Sequence, residues 1–151
     1  MKIAIGCDHA GFILKHVVTE QVKKRGHEIM DFGTDNAQTP VDYPDFAAKV
    51  AQAVAAGTVE RGIVLCGSGI GASIAANKFK GVRAGLCHDT YSAAQGVAHD
   101  DMNILCMGSR VIGEALACSI IDSFVATVFS NEPRHLRRLN KVKALEAANM
   151  K

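Results

Sequence analysis

A cysteine that closes an apolar run, followed at once by three glycines at alternate positions, is where this 151-residue chain shows its clearest chemistry. Residues 61–72 read Arg-Gly-Ile-Val-Leu-Cys-Gly-Ser-Gly-Ile-Gly-Ala, and an alanine-rich stretch from Ala72 to Phe79 follows. The pattern predicts a strand, a tight turn and a helix, with Cys66 at the carboxyl end of the strand. Glycines at 67, 69 and 71 are expected to take positive φ and to let the backbone approach a ligand closely. The N–H groups of the turn and the start of the helix then face an anion, and the same field favours thiolate over thiol at Cys66. A glycine-rich turn of this kind also serves simply to pack helix on strand.

A thiolate so placed can take a proton from carbon and stabilise the enediolate that results, while the Ser68 hydroxyl passes a proton between oxygens. An imidazole suits proton transfer to a ring or hydroxyl oxygen, and His99 is the candidate. Asn131-Glu132-Pro133 is a helix-start signature, and Arg134 and Arg138 beyond it are four apart and share one face. Cations in a first turn oppose the macrodipole, so they either clamp an anion such as a phosphate or form a solvated basic face. The set suits aldose–ketose isomerisation of a sugar phosphate, which needs neither metal nor cofactor.

Several other chemistries do not fit. No G-x-x-x-x-G-K-[ST] is present, Ala72 stands where a phosphatase loop needs arginine, and Ser68 is not within G-x-S-x-G. One rival does match: Gly67, Gly69 and Ala72 satisfy G-x-G-x-x-[G/A], and Asp89 follows about 20 residues later, as in a dinucleotide-binding module. Against it, this turn follows the third strand rather than opening the fold. Nucleic-acid binding through the basic C-terminal segment has charge but no aromatic platform.

The elements that must position these residues alternate along the chain. Short apolar runs at Ile3–Cys7, Glu28–Phe32, Ile63–Cys66, Ala84–Cys87 and Ile104–Met107 read as parallel strands buried on both faces. Phe12–Arg25, Pro44–Ala56, Thr90–His99 and Glu114–Phe129 read as helices, the first two stopped by Gly26 and Gly57. The expected fold is α/β: one doubly wound, Rossmann-like domain over 1–151. It has a five-stranded parallel sheet, helices on both faces, and a C-terminal basic helix over about 134–149. Ligands bind such sheets at the carboxyl ends of the strands. That rim carries Cys7-Asp8-His9, Cys66-Gly67-Ser68, Cys87-His88-Asp89 and Gly108-Ser109-Arg110, beside a loop over 33–42.

A net charge of +2 argues for neither nucleic acid nor membrane as a partner. The start is too short for a signal peptide, and no C-x-x-C pair marks a metal or redox site among the five cysteines. The expectation is a reduced, cytoplasmic protein.

In order along nearly the whole chain, Gly-Cys-Asp-His-Ala-Gly-Phe at 6–12, Val41-Asp42-Tyr43-Pro44, Cys66 to Gly71, Ala75-Ala76-Asn77-Lys78, Gly108-Ser109-Arg110-Val111 and Arg134-x-x-x-Arg138 resemble the ribose-5-phosphate isomerase B family. That family extends to allose- and galactose-6-phosphate isomerases. The resemblance implies Cys66 as the base at substrate carbon and Gly67, Ser68, Gly69, Ile70 and Gly71 as an anion hole. It further implies His99 as the ring-opening acid and Ser68 as an aid to proton transfer. Asp8, His9, Tyr43 and Arg110 lie on or near the substrate, and Arg134 and Arg138 on its phosphate. It also implies a homodimer or homotetramer with sites shared between subunits. His16, His27, His88 and His135 remain surface or structural residues.

Three departures from the family pattern are visible: Ser68 for threonine, Asp100 where asparagine follows the histidine, and Glu132-Pro133 in place of glycines before the first phosphate arginine. Asp100 enters the expected substrate-binding set, either accepting from sugar hydroxyls or pairing with a cation such as a protonated His99 or an arginine of the shared site, and these changes bear on the identity of the sugar.

Overall fold

The computed structural model describes residues 1–150; Lys151, the last residue of the expected domain, lies outside them. Strands β1 (Lys2–Cys7), β2 (Glu28–Asp31), β3 (Arg61–Cys66), β4 (Ala84–Leu86) and β5 (Ile104–Gly108) alternate with helices α1 (Phe12–Lys24), α2 (Tyr43–Ala55), α3 (Ile70–Ala76), α4 (Thr90–Asp100) and α5 (Glu114–Ala126). A sixth helix, α6 (Pro133–Asn149), ends the fold. All strands are parallel, in the order β2-β1-β3-β5-β4.

Side-chain alternation sorts the core into two layers. Ile3, Ile5, Ile63, Leu65, Leu105 and Met107 face α1, α4 and α5, whose Leu14, Val18, Val97, Ile120 and Phe124 complete that layer. Ala4, Val64, Ile104 and Cys106 face α2 and α3, packed by Val50, Ala51, Ala72 and Ala76. The expectation that every strand is buried on both faces holds for β1, β3 and β5 but not for β2 and β4. Those two are the edges, so each has only one neighbouring strand to shield it.

Helix ends follow local chemistry. Gly26 and Gly57 stop α1 and α2 with φ of 82° and 70°, the left-handed conformation a helix stop demands. Helix α3 ends at Ala76, short of Phe79, because the Asn77 side chain turns to β4. Its amide donates to Ala84 O (2.9 Å) and its Oδ1 accepts from Ala84 N–H (2.8 Å). Helix α5 ends at Ala126, short of Phe129, where the Arg61 guanidinium donates to the Phe124 and Thr127 carbonyls. Helix α6 buries only His135 and Leu139 and leans on α4. No helix among the described residues is long and apolar enough to cross a membrane.

Candidate active site

Strand order places the ends of β1 and β3 side by side, with β2 on one flank and β5 on the other. The chain reverses direction across the sheet at that point, which opens a crevice beyond the strand ends. Three loops are stitched together there by backbone. Asp8 N–H donates to Leu65 O (3.3 Å), Ser109 N–H to Cys66 O (2.9 Å) and Arg110 N–H to Gly67 O (3.1 Å). Ser109 Oγ also donates to Ala10 O (2.6 Å). The result is a cavity of about 390 Å³ lined by Asp8, His9, Tyr43, Cys66, Gly67, Ser68, Gly71, Arg110 and, beside them, Ala10 and Val111.

Each side chain is held in a defined way. Cys66 is only 4% exposed, and its Sγ accepts a hydrogen bond from Gly69 N–H (3.0 Å). That bond needs Gly69 at φ 78°, and a Cβ there would lie 2.5 Å from Leu86. Gly67 and Gly71, in contrast to the expectation, do not take positive φ. Their small size is what matters: a Cβ on Gly71 would sit 2.6 Å from the Tyr43 ring, and one on Gly67 would sit 3.3 Å from the Arg110 guanidinium. Ser68 Oγ accepts from Ile70 N–H (3.2 Å) at the start of α3. Asp8, buried, takes the Gly11 N–H on Oδ1 (2.8 Å) and so shapes the loop as well as facing the cavity.

His9 Nδ1 accepts from Val41 N–H (3.1 Å), an assignment that leaves the ring proton on Nε2. No carboxylate pairs with Arg110 among the described residues, so its charge is available to an anion. Burial pushes two other strand-end thiols, Cys7 and Cys87, up to about 11, and raises Cys106 further still. Those cysteines are packing residues held protonated.

Four expected site residues lie elsewhere in the chain. His99, near the end of α4, stacks on His135 of α6 with ring centroids 3.9 Å apart. Arg134 Nε donates to Glu132 Oε2 (3.0 Å) at the exposed start of α6, with Arg138 one turn on. Asp100 lines a second cavity of about 580 Å³ between β4, α4 and α6, together with Arg83, Val142 and Glu146. Ile70 belongs to the turn but points out, 53% exposed. Asp89, which a dinucleotide site would need free, accepts from Ser92 N–H (2.6 Å) as the N-cap of α4. Among the described residues no group of three or more His, Cys, Asp or Glu is arranged to hold a metal ion.

Sequence reasoning left His135 as a surface or structural residue, yet it is 1% exposed and in contact with His99. It also gave Ser109 no role. The signal for His135 was its spacing of four from Leu139, the other buried residue of the helix, which puts both on one face.

A model of the "Ribose/Galactose Isomerase" family matches residues 3–142. The chain belongs to that family. Family membership makes it an aldose–ketose isomerase. Within the family it is 47% identical over 145 residues to "Ribose-5-phosphate isomerase B" of Escherichia coli, covering 96% of each chain. It is 41% identical to "D-erythrulose-4-phosphate isomerase" of Pectobacterium atrosepticum over 130 residues, 85% of each chain. The type B ribose 5-phosphate isomerase of Trypanosoma cruzi superposes with a TM-score of 0.95 at 46% identity. That match covers 99% of this chain and all of the other.

Proposed function

We propose that this chain interconverts ribose 5-phosphate and ribulose 5-phosphate through an enediolate, with Cys66 as the base. The observation that carries the reading is the Cys66 thiol on a cavity wall, receiving the Gly69 N–H and flanked by an unpaired arginine. The sulfur takes the proton from C2 of the open-chain aldose. Negative charge then spreads over O1 and O2, where N–H groups of the 67–71 turn stabilise it. Ser68 passes a proton between the two oxygens, and the proton held on sulfur returns to C1. Asp8, His9, Tyr43 and Arg110 orient the sugar; His99 opens the furanose by protonating its ring oxygen. Arg134 and Arg138 hold the phosphate, and Asp100 accepts from sugar hydroxyls.

His99, Asp100, Arg134 and Arg138 do not line the cavity, so we propose that a second copy supplies this group and that the enzyme works as a homodimer or a pair of dimers. Support comes from an apolar surface at the cavity rim. Leu86, beside Gly69 on edge strand β4, is 38% exposed, and Ile70 and Ile74 on α3 and Tyr91 on α4 are 53%, 58% and 72% exposed. An edge strand among exposed apolar side chains is normally covered. Five free thiols suit a reducing, cytoplasmic setting.

Cys66→Ala tests the chemistry. Loss of a general base costs about 10²–10⁴ in kcat, so turnover should disappear at unchanged melting temperature and substrate affinity. Most activity surviving would end the proton-abstraction scheme. An assay across ribose, allose and galactose phosphates decides between the pentose reading and a hexose 6-phosphate of allose or galactose type.

A further inference from the structure

The α4–α6 seam contains a pair that the reaction scheme uses only by half. The His99 and His135 rings are stacked, 25° from coplanar. His99 is partly exposed; His135 beneath it is 1% exposed. Ser130 ties the lower ring down. Its Oγ accepts from Glu132 N–H (3.2 Å), which frees the hydroxyl proton for His135 Nδ1, 2.6 Å away. Ser130 N–H in turn donates to Ala98 O (3.0 Å), so the tether is anchored on α4 one residue before His99. His135 Nε2 is left buried without a hydrogen-bond partner. A phenylalanine would fill the space without that orphaned group, so packing alone does not account for an imidazole here. What the imidazole adds is Nδ1, the atom through which Ser130 fixes the ring's rotation.

We infer that His135 is a positioning residue: its tethered ring sets the plane in which His99 presents its nitrogens to the sugar ring oxygen. The inference rests on the proposed role of His99 as ring-opening acid. Burial, then the neighbouring His99 and Arg134, push the His135 pKa down; Arg138 adds to this, and Glu132 opposes it. His135 therefore stays neutral and does not take up the proton that His99 is to deliver. In ring opening that proton goes to the ring oxygen, the C1–O bond to it breaks, and the C1 hydroxyl gives its proton to solvent water as the aldehyde forms.

The test separates ring opening from proton transfer at carbon. Ribose 5-phosphate enters as a furanose and must be opened. Ribulose 5-phosphate, its C5 oxygen phosphorylated, has no hydroxyl able to close a five-membered ring on C2 and enters open. His135→Ala should lower kcat for isomerisation of ribose 5-phosphate about tenfold through misorientation and change the exchange of the C1 proton of ribulose 5-phosphate with D2O, which passes through the enediolate without any ring step, less than about twofold. His135→Phe and Ser130→Ala each keep a ring under His99 but lose the tether, and should cost about threefold, again only with the aldose. Equal losses in aldose isomerisation and in ketose C1 exchange, or no loss with the aldose, would overturn the inference. If His135→Ala melts below the assay temperature, the other two variants decide by the same criterion. His99→Asn is the control: without the aldose-selective loss in that variant, the ring-opening role itself fails. With it there and absent from the His135 and Ser130 variants, only the positioning role fails.

Discussion

At the strand ends, functional groups are held by backbone. Gly69 N–H meets the Cys66 sulfur, Gly11 N–H the Asp8 carboxylate, and Val41 N–H the His9 ring, while main-chain bonds lace the three loops to one another. At the α4–α6 seam the groups are held by side chains: His99 by the His135 face, His135 by Ser130, Arg134 by Glu132. The first arrangement is rigid because the sheet beneath it is buried on both faces. The second sits where only two residues of a seventeen-residue helix are buried. Proton abstraction from carbon demands close placement of a base; phosphate capture and ring opening tolerate, and in a shared site require, groups brought in from a separate surface.

The sharpest way to break this division is to inactivate each region in a different copy. Cys66→Ala and His99→Asn should each be dead or nearly so with ribose 5-phosphate. After co-refolding in equal amounts, about a quarter of wild-type activity should return, because half of the dimers are mixed and each mixed dimer has one intact site. No recovery would mean that both groups act within one copy.

The two arginines sharpen the account of the seam. Arg138→Ala should raise KM about tenfold, the loss of one charge-assisted hydrogen bond. Arg134→Ala should raise it less, since Glu132 already engages that guanidinium. Normal phosphate affinity in both variants would make α6 a solvated basic face.

The strand-end region has its own pH signature. Cys7 and Cys87 titrate near 9.0 when unfolded and about 11 when folded, because burial disfavours the thiolate. Between those values the unfolded chain has released protons that the folded chain retains, so stability falls as pH rises from about 9 to about 11. Unfolding in urea across that range should show the decline, and Cys7→Ala should make it shallower. A slope unchanged in that variant would mean that Cys7 does not contribute.

The smallest effect is expected at Asp100, which is exposed on the seam side. Asp100→Asn should shift kcat/KM among sugar phosphates by a few-fold, upward for ribose 5-phosphate, because an amide donates where a carboxylate only accepts. An identical substrate profile would place Asp100 outside contact with the sugar.

Much of this was legible in the residues themselves. The alternation of apolar runs and helical stripes specified the α/β class, because burial on two faces leaves little choice of pattern for central strands. Gly26 and Gly57 marked helix ends by a backbone requirement that is local. Cys66 and its glycines marked a turn built for close approach, although the role of each glycine was not legible: φ at 69 and clearance at 67 and 71 depend on Leu86, Arg110 and Tyr43, residues distant in sequence. Helix ends at Ala76 and Ala126 depended likewise on Asn77 reaching β4 and on Arg61 reaching α5.

Periodicity and turn chemistry are properties of neighbouring residues, so the sequence by itself determined which segments are strands and helices and which strand ends carry reactive groups. The order β2-β1-β3-β5-β4, the meeting of Asp8 and His9 with Cys66 and Arg110, and the separation of His99 onto a stacked pair with His135 were decided only by tertiary structure. Strand order and helix docking are set by the sum of many distant contacts, and no single stretch of residues encodes them.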